Sequence, residues 1–224
     1  MKPWLSRTGE SCLRFGLLTV AATFSLASST SAYDYPLSPE GVRDAYFLGR
    51  RMDAGTRALL DQYSRHLPLP DQGPYISLVS LLTPYAQAVF RSWRSPLGYS
   101  AQQAEEDYRR NGDCIQVEVE IRFTATYSAL RDAKPNKSGS GGDGFTFQPE
   151  DFWHDFKFTL SQNSLSIVPR TLRGVPIYDK GGFRGADVYL EYDTQELASE
   201  WTLLDVLTPD GHHVAAKFDL AQLR

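Results

Sequence analysis

Between Glu150 and Asp155 the chain concentrates three carboxylates and a histidine, in the run Glu150, Asp151, Phe152, Trp153, His154, Asp155. Imidazole and carboxylate groups ligate metals, and the same pair can serve as general base and general acid. Spacing limits what they can do together. On a strand, His154 shares a face with Glu150, Phe152 and Phe156, while Asp151, Trp153 and Asp155 point the other way. If Pro149 opens a helical turn instead, Glu150 and His154 meet at i and i+4. The reading taken is an acidic turn entering a Phe-rich core strand, with His154 half buried and structural. Trp153, His154 and Asp155 are the candidate binding residues; no catalytic set, metal site or cofactor is assigned.

The other reactive side chains are sparser. His212 and His213 follow the turn Pro209-Asp210-Gly211, and neighbouring strand residues face opposite sides. The pair therefore cannot chelate one metal without a partner element, and turn exposure is expected. Cys114 has no cation beside it in the sequence and reads as an inert small hydrophobe. Nucleophile-elbow, His-Glu-x-x-His, phosphate-loop and Cys-x-x-Cys patterns are all missing from the chain. Gly181-Gly182-Phe183-Arg184-Gly185 lacks the helix and lysine of a phosphate cradle and reads as a wide turn between strands. Trp93, Trp153 and Trp201 could supply a stacking platform for sugars or an anchor for a protein, but most aromatics should be core.

The elements that must position these residues begin with an export signal. Lys2, Arg7 and Arg14 precede the uncharged run Phe15–Ala27, and Thr30-Ser31-Ala32 offers a small-x-Ala cleavage site before Tyr33. That run is shorter than the roughly 20 residues of a spanning helix, so cleavage rather than anchoring is expected, with no membrane span afterwards. Cys12 leaves with residues 1–32, and Cys114 is then the only cysteine, which removes any intramolecular disulfide. The cut also moves the formal net charge from −4 to about −6, because three basic side chains and Glu10 go with it. That balance argues against nucleic acid and against adhesion to anionic lipid.

Residues 33–112 read as a helical segment with one or two strands packed on a sheet. Ser38-Pro39-Glu40 combines an N-cap, a proline at the first helical position and an early acid. A second helix is expected from Asp53, carrying Leu59, Leu60, Tyr63 and Leu67 inward. Ile76–Leu82 reads as a buried strand, and Tyr85–Arg94 fits strand and helix equally. Ser100 with Gln103 forms a capping box. Residues 113–224 read as an antiparallel sandwich. Ile115, Val117, Val119, Ile121 and Phe123 alternate with Gln116, Glu118, Glu120, Arg122 and Thr124, one face core and the other wet. Residues 134–144 form a Gly/Ser-rich loop expected to be mobile, with a glycosylation sequon at Asn136-Lys137-Ser138. Further short strands follow to a last hairpin around Pro209-Asp210-Gly211. The fold class is therefore α+β: short N-terminal helices, then an antiparallel β-sandwich or open barrel.

Tyr35-Pro36-Leu37-Ser38 through Ala45-Tyr46-Phe47-Leu48-Gly49-Arg50, Thr83-Pro84-Tyr85-Ala86-Gln87 and Thr208-Pro209-Asp210-Gly211 resemble a group of exported bacterial proteins without an assigned function. The resemblance implies a bacterial envelope location and nothing about activity. The expectation is an exported, non-catalytic envelope protein, periplasmic or extracellular, that binds another protein or a glycan through its sandwich faces or loops. The alternative is an envelope hydrolase or metal-dependent enzyme built on the Glu150–Asp155 cluster. A histidine, a carboxylate and a second histidine around one concavity would favour that alternative.

Overall fold

The computed structural model describes residues 33–95, 97–127, 149–180 and 182–224. The expected export signal, residues 1–32, and the expected mobile loop, residues 134–144, lie outside the described residues. The elements lying wholly within the described residues follow in the order α1 (Pro39–Arg51), α2 (Ala54–Gln62), β1 (Ser64–His66), β2 (Pro74–Leu82), α3 (Pro84–Arg94), α4 (Ala101–Asn111), β3 (Cys114–Phe123), β4 (Lys157–Gln162), β5 (Leu165–Ile167), β6 (Thr171–Asp179), β7 (Gly182–Asp193), β8 (Trp201–Leu207) and β9 (His213–Asp219). The strands form two antiparallel sheets, β1-β2-β3-β7-β6 and β5-β4-β8-β9, and both are open. The class is α+β, and β1 and β2 extend the sheet that β3 continues. No helix among the described residues is long and apolar enough to cross a membrane.

Local chemistry explains the helix ends. The Ser38 hydroxyl accepts from the Gly41 amide, the Asp53 carboxylate from Thr56, and the Thr83 hydroxyl from Ala86, so each helix starts on a side-chain cap. Ser100 and Gln103 form the full reciprocal box at α4. α2 is shorter than the residue pattern suggests. It ends at Gln62, and the chain turns directly into β1, leaving Leu67 beyond the helix. The stretch 85–94 is helix, because Thr83-Pro84 supplies both cap and first-turn proline and Val89 buries with Tyr85 and Ala86.

Strand alternation sets the main core. Ile115, Val117, Val119, Ile121 and Phe123 turn inward on β3, against Ala186, Val188, Leu190 and Tyr192 of β7 and Leu160, Leu204, Val206 and Phe218 of the second sheet. A smaller core joins Val42 and Ala45 of α1 to Tyr85 and Val89 of α3 and Ala104 of α4. Gly49 lets these helices approach: a Cβ there would lie 2.4 Å from the Val89 carbonyl oxygen. α3 is thus held on one side by helices, while its other side touches β2 and β3. Its C-terminal end reaches over the face of the five-stranded sheet that points away from the main core.

The segment around Trp153 is a turn ahead of a Phe-containing strand, as expected, but not with the strand faces considered for His154. Phe152–Asp155 is a short 3-10 turn and β4 begins only at Lys157. Strand parity therefore does not apply to His154.

Candidate functional site

The turn separates the residues that looked most reactive. Trp153 is only 7% exposed and Phe152 lies in an aromatic cluster with Phe123, Phe156 and Phe183. His154 and Asp155 are exposed rather than half buried. The His154 ring stacks on the Trp153 indole with centroids 3.7 Å apart. Glu150 is also exposed and accepts a hydrogen bond from the Tyr178 hydroxyl. At the last hairpin His212 meets Asp210 at 3.0 Å and His213 meets Asp205 at 2.9 Å, both pairs near the surface. Each histidine thus answers to a carboxylate of its own hairpin. No three His, Cys, Asp or Glu side chains among the described residues converge to hold a metal. Cys114 is buried, and burial raises its thiol above the ordinary pKa, which disfavours the nucleophilic thiolate.

A different group of side chains meets on the outward face of the five-stranded sheet. Alternation on β3 turns Glu118 and Glu120 to that face. The ladder with β7 sets Tyr189 opposite Glu118 and Asp187 opposite Glu120, and the ladder with β2 sets Ser80 and Leu78 opposite the same two acids. The end of α3 overhangs them with Phe90, Trp93 and Arg94. Between helix and sheet lies a cleft with about 350 Å³ of open space, reaching from His66 and Ser64 of β1 to Glu118 and Glu120. A second hollow of about 320 Å³ shares Leu82, Phe90, Arg94 and Glu118 with it and extends to Tyr189. Cavities of this size, part aromatic and part polar, are the usual seats of small ligands.

The carboxylates in the cleft are held in unlike ways. Glu120 accepts from Arg122 Nε at 2.8 Å and from the Ser77 hydroxyl at 2.6 Å. The Arg122 bond leads in holding its pKa below the ordinary value. Among the described residues Glu118 accepts only from the Tyr189 hydroxyl, at 3.3 Å. Burial first, then the charge of Asp187, pushes its pKa up. Asp187 is raised likewise, by burial and then by Glu120, and its Oδ1 is buried without a hydrogen-bond partner. Two cations frame the group without pairing with it: the Arg94 guanidinium lies over Phe90 at 5.2 Å and that of Arg173 over Tyr189 at 4.3 Å. The cleft therefore offers a fixed anion, Glu120, and a carboxyl group that keeps its proton unusually long, Glu118, while Asp187 beside them has an oxygen that nothing among the described residues satisfies.

Sequence reasoning missed this group because it placed Glu118 and Glu120 on a wet face. The alternation was visible, but the helix over it was not, and β7 pairs with β3 across some sixty intervening residues.

No protein-family model matches the chain, and the comparison with curated proteins finds no similar one. The functional reading rests on the residues themselves.

Proposed function

We propose that this is an exported, non-catalytic binding protein whose cleft under α3 takes a neutral sugar ring of a glycan. The observation that carries the reading is the cleft itself, in which Phe90, Trp93 and Arg94 of α3 stand over Glu118 and Glu120, with Glu118 held by the Tyr189 hydroxyl. Carboxyl groups that retain a proton both donate and accept, and a sugar hydroxyl does the same. Phe90 and Trp93 add apolar wall for the ring's C–H face. A concave site between helix and sheet suits one ring better than the flat surface of a protein partner. Export is supported by the basic start, the uncharged run and the Thr30-Ser31-Ala32 site. The hydrolase alternative draws no support from the Glu150–Asp155 turn, whose side chains diverge.

Saturation-transfer NMR on the purified protein with maltose, cellobiose and chitobiose tests the reading. At least one of these should show transfer at millimolar concentration, and Trp93→Ala and Glu118→Gln should each abolish it. No transfer from any of the three, or transfer that survives both substitutions, would overturn the cleft as the site. Mass analysis of the envelope fraction should find a chain beginning at Tyr33; an intact Met1 there would overturn export by cleavage.

A further inference from the structure

The four-stranded sheet also has an outward face, and one end of it is unlike the rest. β8 buries Thr202, Leu204 and Val206 and turns Trp201, Leu203, Asp205 and Leu207 outward. Trp201 is 63% exposed. The ladders place Ser161 and Lys217 on either side of Leu203, in the row next to Trp201. Lys217 is thus a diagonal neighbour of the indole, with Cβ atoms roughly 7–8 Å apart, within reach of both long side chains. Asn163 and Ser164 form the turn between β4 and β5, both at positive φ. Asn163 Nδ2 donates to Glu200 Oε2 at 2.5 Å, which holds the turn beside the tryptophan. A shallow hollow of about 420 Å³ lies among these groups.

The charges decide what fits. Every acid near the hollow is already engaged: Glu200 by Asn163, and Asp219 by the Ala221 amide at 3.1 Å and Gln222 Nε2 at 2.8 Å. Lys217 forms no ion pair among the described residues and is exposed. The hollow therefore presents a flat indole, a hydroxyl, an amide and a free ammonium. A protein side chain would use one or two of these. A pyranose ring bearing a carboxylate uses all of them: its C–H face on the indole, its hydroxyls to Ser161 and Asn163, its carboxylate to Lys217.

We propose that Trp201, Lys217, Ser161 and Asn163 form a second, independent binding site for an acidic sugar ring of the uronate class. It stands on the opposite sheet and does not depend on the cleft under α3. An open single-ring site of this kind binds in the millimolar range, so it contributes to a polymer by adding to contacts made elsewhere on the molecule.

The test is a fluorescence and NMR titration of the purified protein with trigalacturonate, and with a neutral galactose trisaccharide as comparison. Trigalacturonate should shift the tryptophan emission saturably and perturb amides in β4, β8 and β9. Trp201→Ala should remove the response. Lys217→Gln should weaken the acidic ligand by about two- to fivefold, the range for an exposed ion pair, and erase its salt dependence. Both side chains are exposed, and an unchanged melting curve in each variant guards against loss of fold. Glu118→Gln, which disables only the cleft, should leave this titration as it was. No saturable response in the wild type, equal affinity for the neutral trisaccharide, or a response that survives both Trp201→Ala and Lys217→Gln would overturn the proposal.

Discussion

Trp153 and Gly174 should be thermodynamically coupled, and the coupling can be worked out from their contact. A Cβ built on Gly174 of β6 would sit 2.1 Å from Trp153 Nε1 and 2.3 Å from Cε2. Distances of that size are impossible for real atoms, so Gly174→Ala must displace the indole from its seat. Gly174 has no positive φ, so alanine meets no backbone strain there, and the whole penalty is steric. Overpacking of this kind costs about 1–3 kcal/mol. Trp153→Ala removes a side chain that is only 7% exposed, and should cost about 3–5 kcal/mol. For a chain of this size that corresponds to a melting temperature lower by roughly 6–20 °C. In the double variant the clash is gone, so Gly174→Ala should then cost nothing. The cycle should close with a coupling of about 1–3 kcal/mol, favourable in the double variant.

The assay is urea unfolding followed by far-ultraviolet circular dichroism, since fluorescence would change with the tryptophan itself. His154→Gln belongs in the same series. An exposed imidazole stacked on the indole should change stability by no more than about 0.5 kcal/mol. Strand-like burial of His154 would have predicted more. If Gly174→Ala is harmless in the wild-type background, the indole does not rest on β6. If His154→Gln costs 2 kcal/mol or more, the imidazole is core after all.

Two other outcomes follow from the titrating groups. Glu118 and Asp187 have raised pKa values when folded, so the native state binds more protons than the unfolded chain from the ordinary carboxylate range, about pH 4, upward through the raised values. Stability should therefore fall as pH rises through that window, and Glu118→Gln with Asp187→Asn should flatten the fall, as read from unfolding midpoints between pH 4 and 8; a profile identical to wild type would refute it. The Cys114 thiol is buried with its pKa raised, so an aromatic disulfide reagent should label it only as fast as the protein opens, and reductant should leave the melting temperature unchanged; stoichiometric labelling of the native state within minutes would contradict this.

What could be read from the chain was what depends on near neighbours. Ser38-Pro39-Glu40 and the Ser100–Gln103 box mark helix starts because a cap is satisfied within three residues. The β3 alternation marks a strand because its period is local. The Tyr85–Arg94 helix was ambiguous for the opposite reason: its apolar residues serve two cores, Ala86 facing the sheets and Val89 facing α1, so no single stripe stands out. The turn ahead of β4 is legible in its acids and Pro149, but the burial of Trp153 and the exposure of His154 are not. Trp153 enters the core there through its contact with β6, which no local pattern encodes.

The two outward sheet faces began as the same kind of surface, polar residues alternating with apolar ones, and the helices made them different. Over the four-stranded sheet nothing in the described residues covers Trp201 and Lys217. Over the five-stranded sheet, α3 brings Phe90, Trp93 and Arg94 above Glu118, and Asp187 lies near that acid. The same carboxylates that alternation assigns to water lose part of it, keep their protons longer, and leave Asp187 Oδ1 without a donor. A polar strand face becomes a candidate site when a later-packed element half-covers it. The sign of that event is not a motif but a set of polar groups whose burial exceeds what their own strand requires. Here that excess falls on Glu118 and Asp187, and a variant that removes the overhang should return both to ordinary carboxylate behaviour. Trp93→Ala with Phe90→Ala opens that side of the cleft, and the downward slope of stability with pH should shrink towards zero. If the slope persists, the raised pKa values come from the sheet alone, and the cleft has no part in holding their protons.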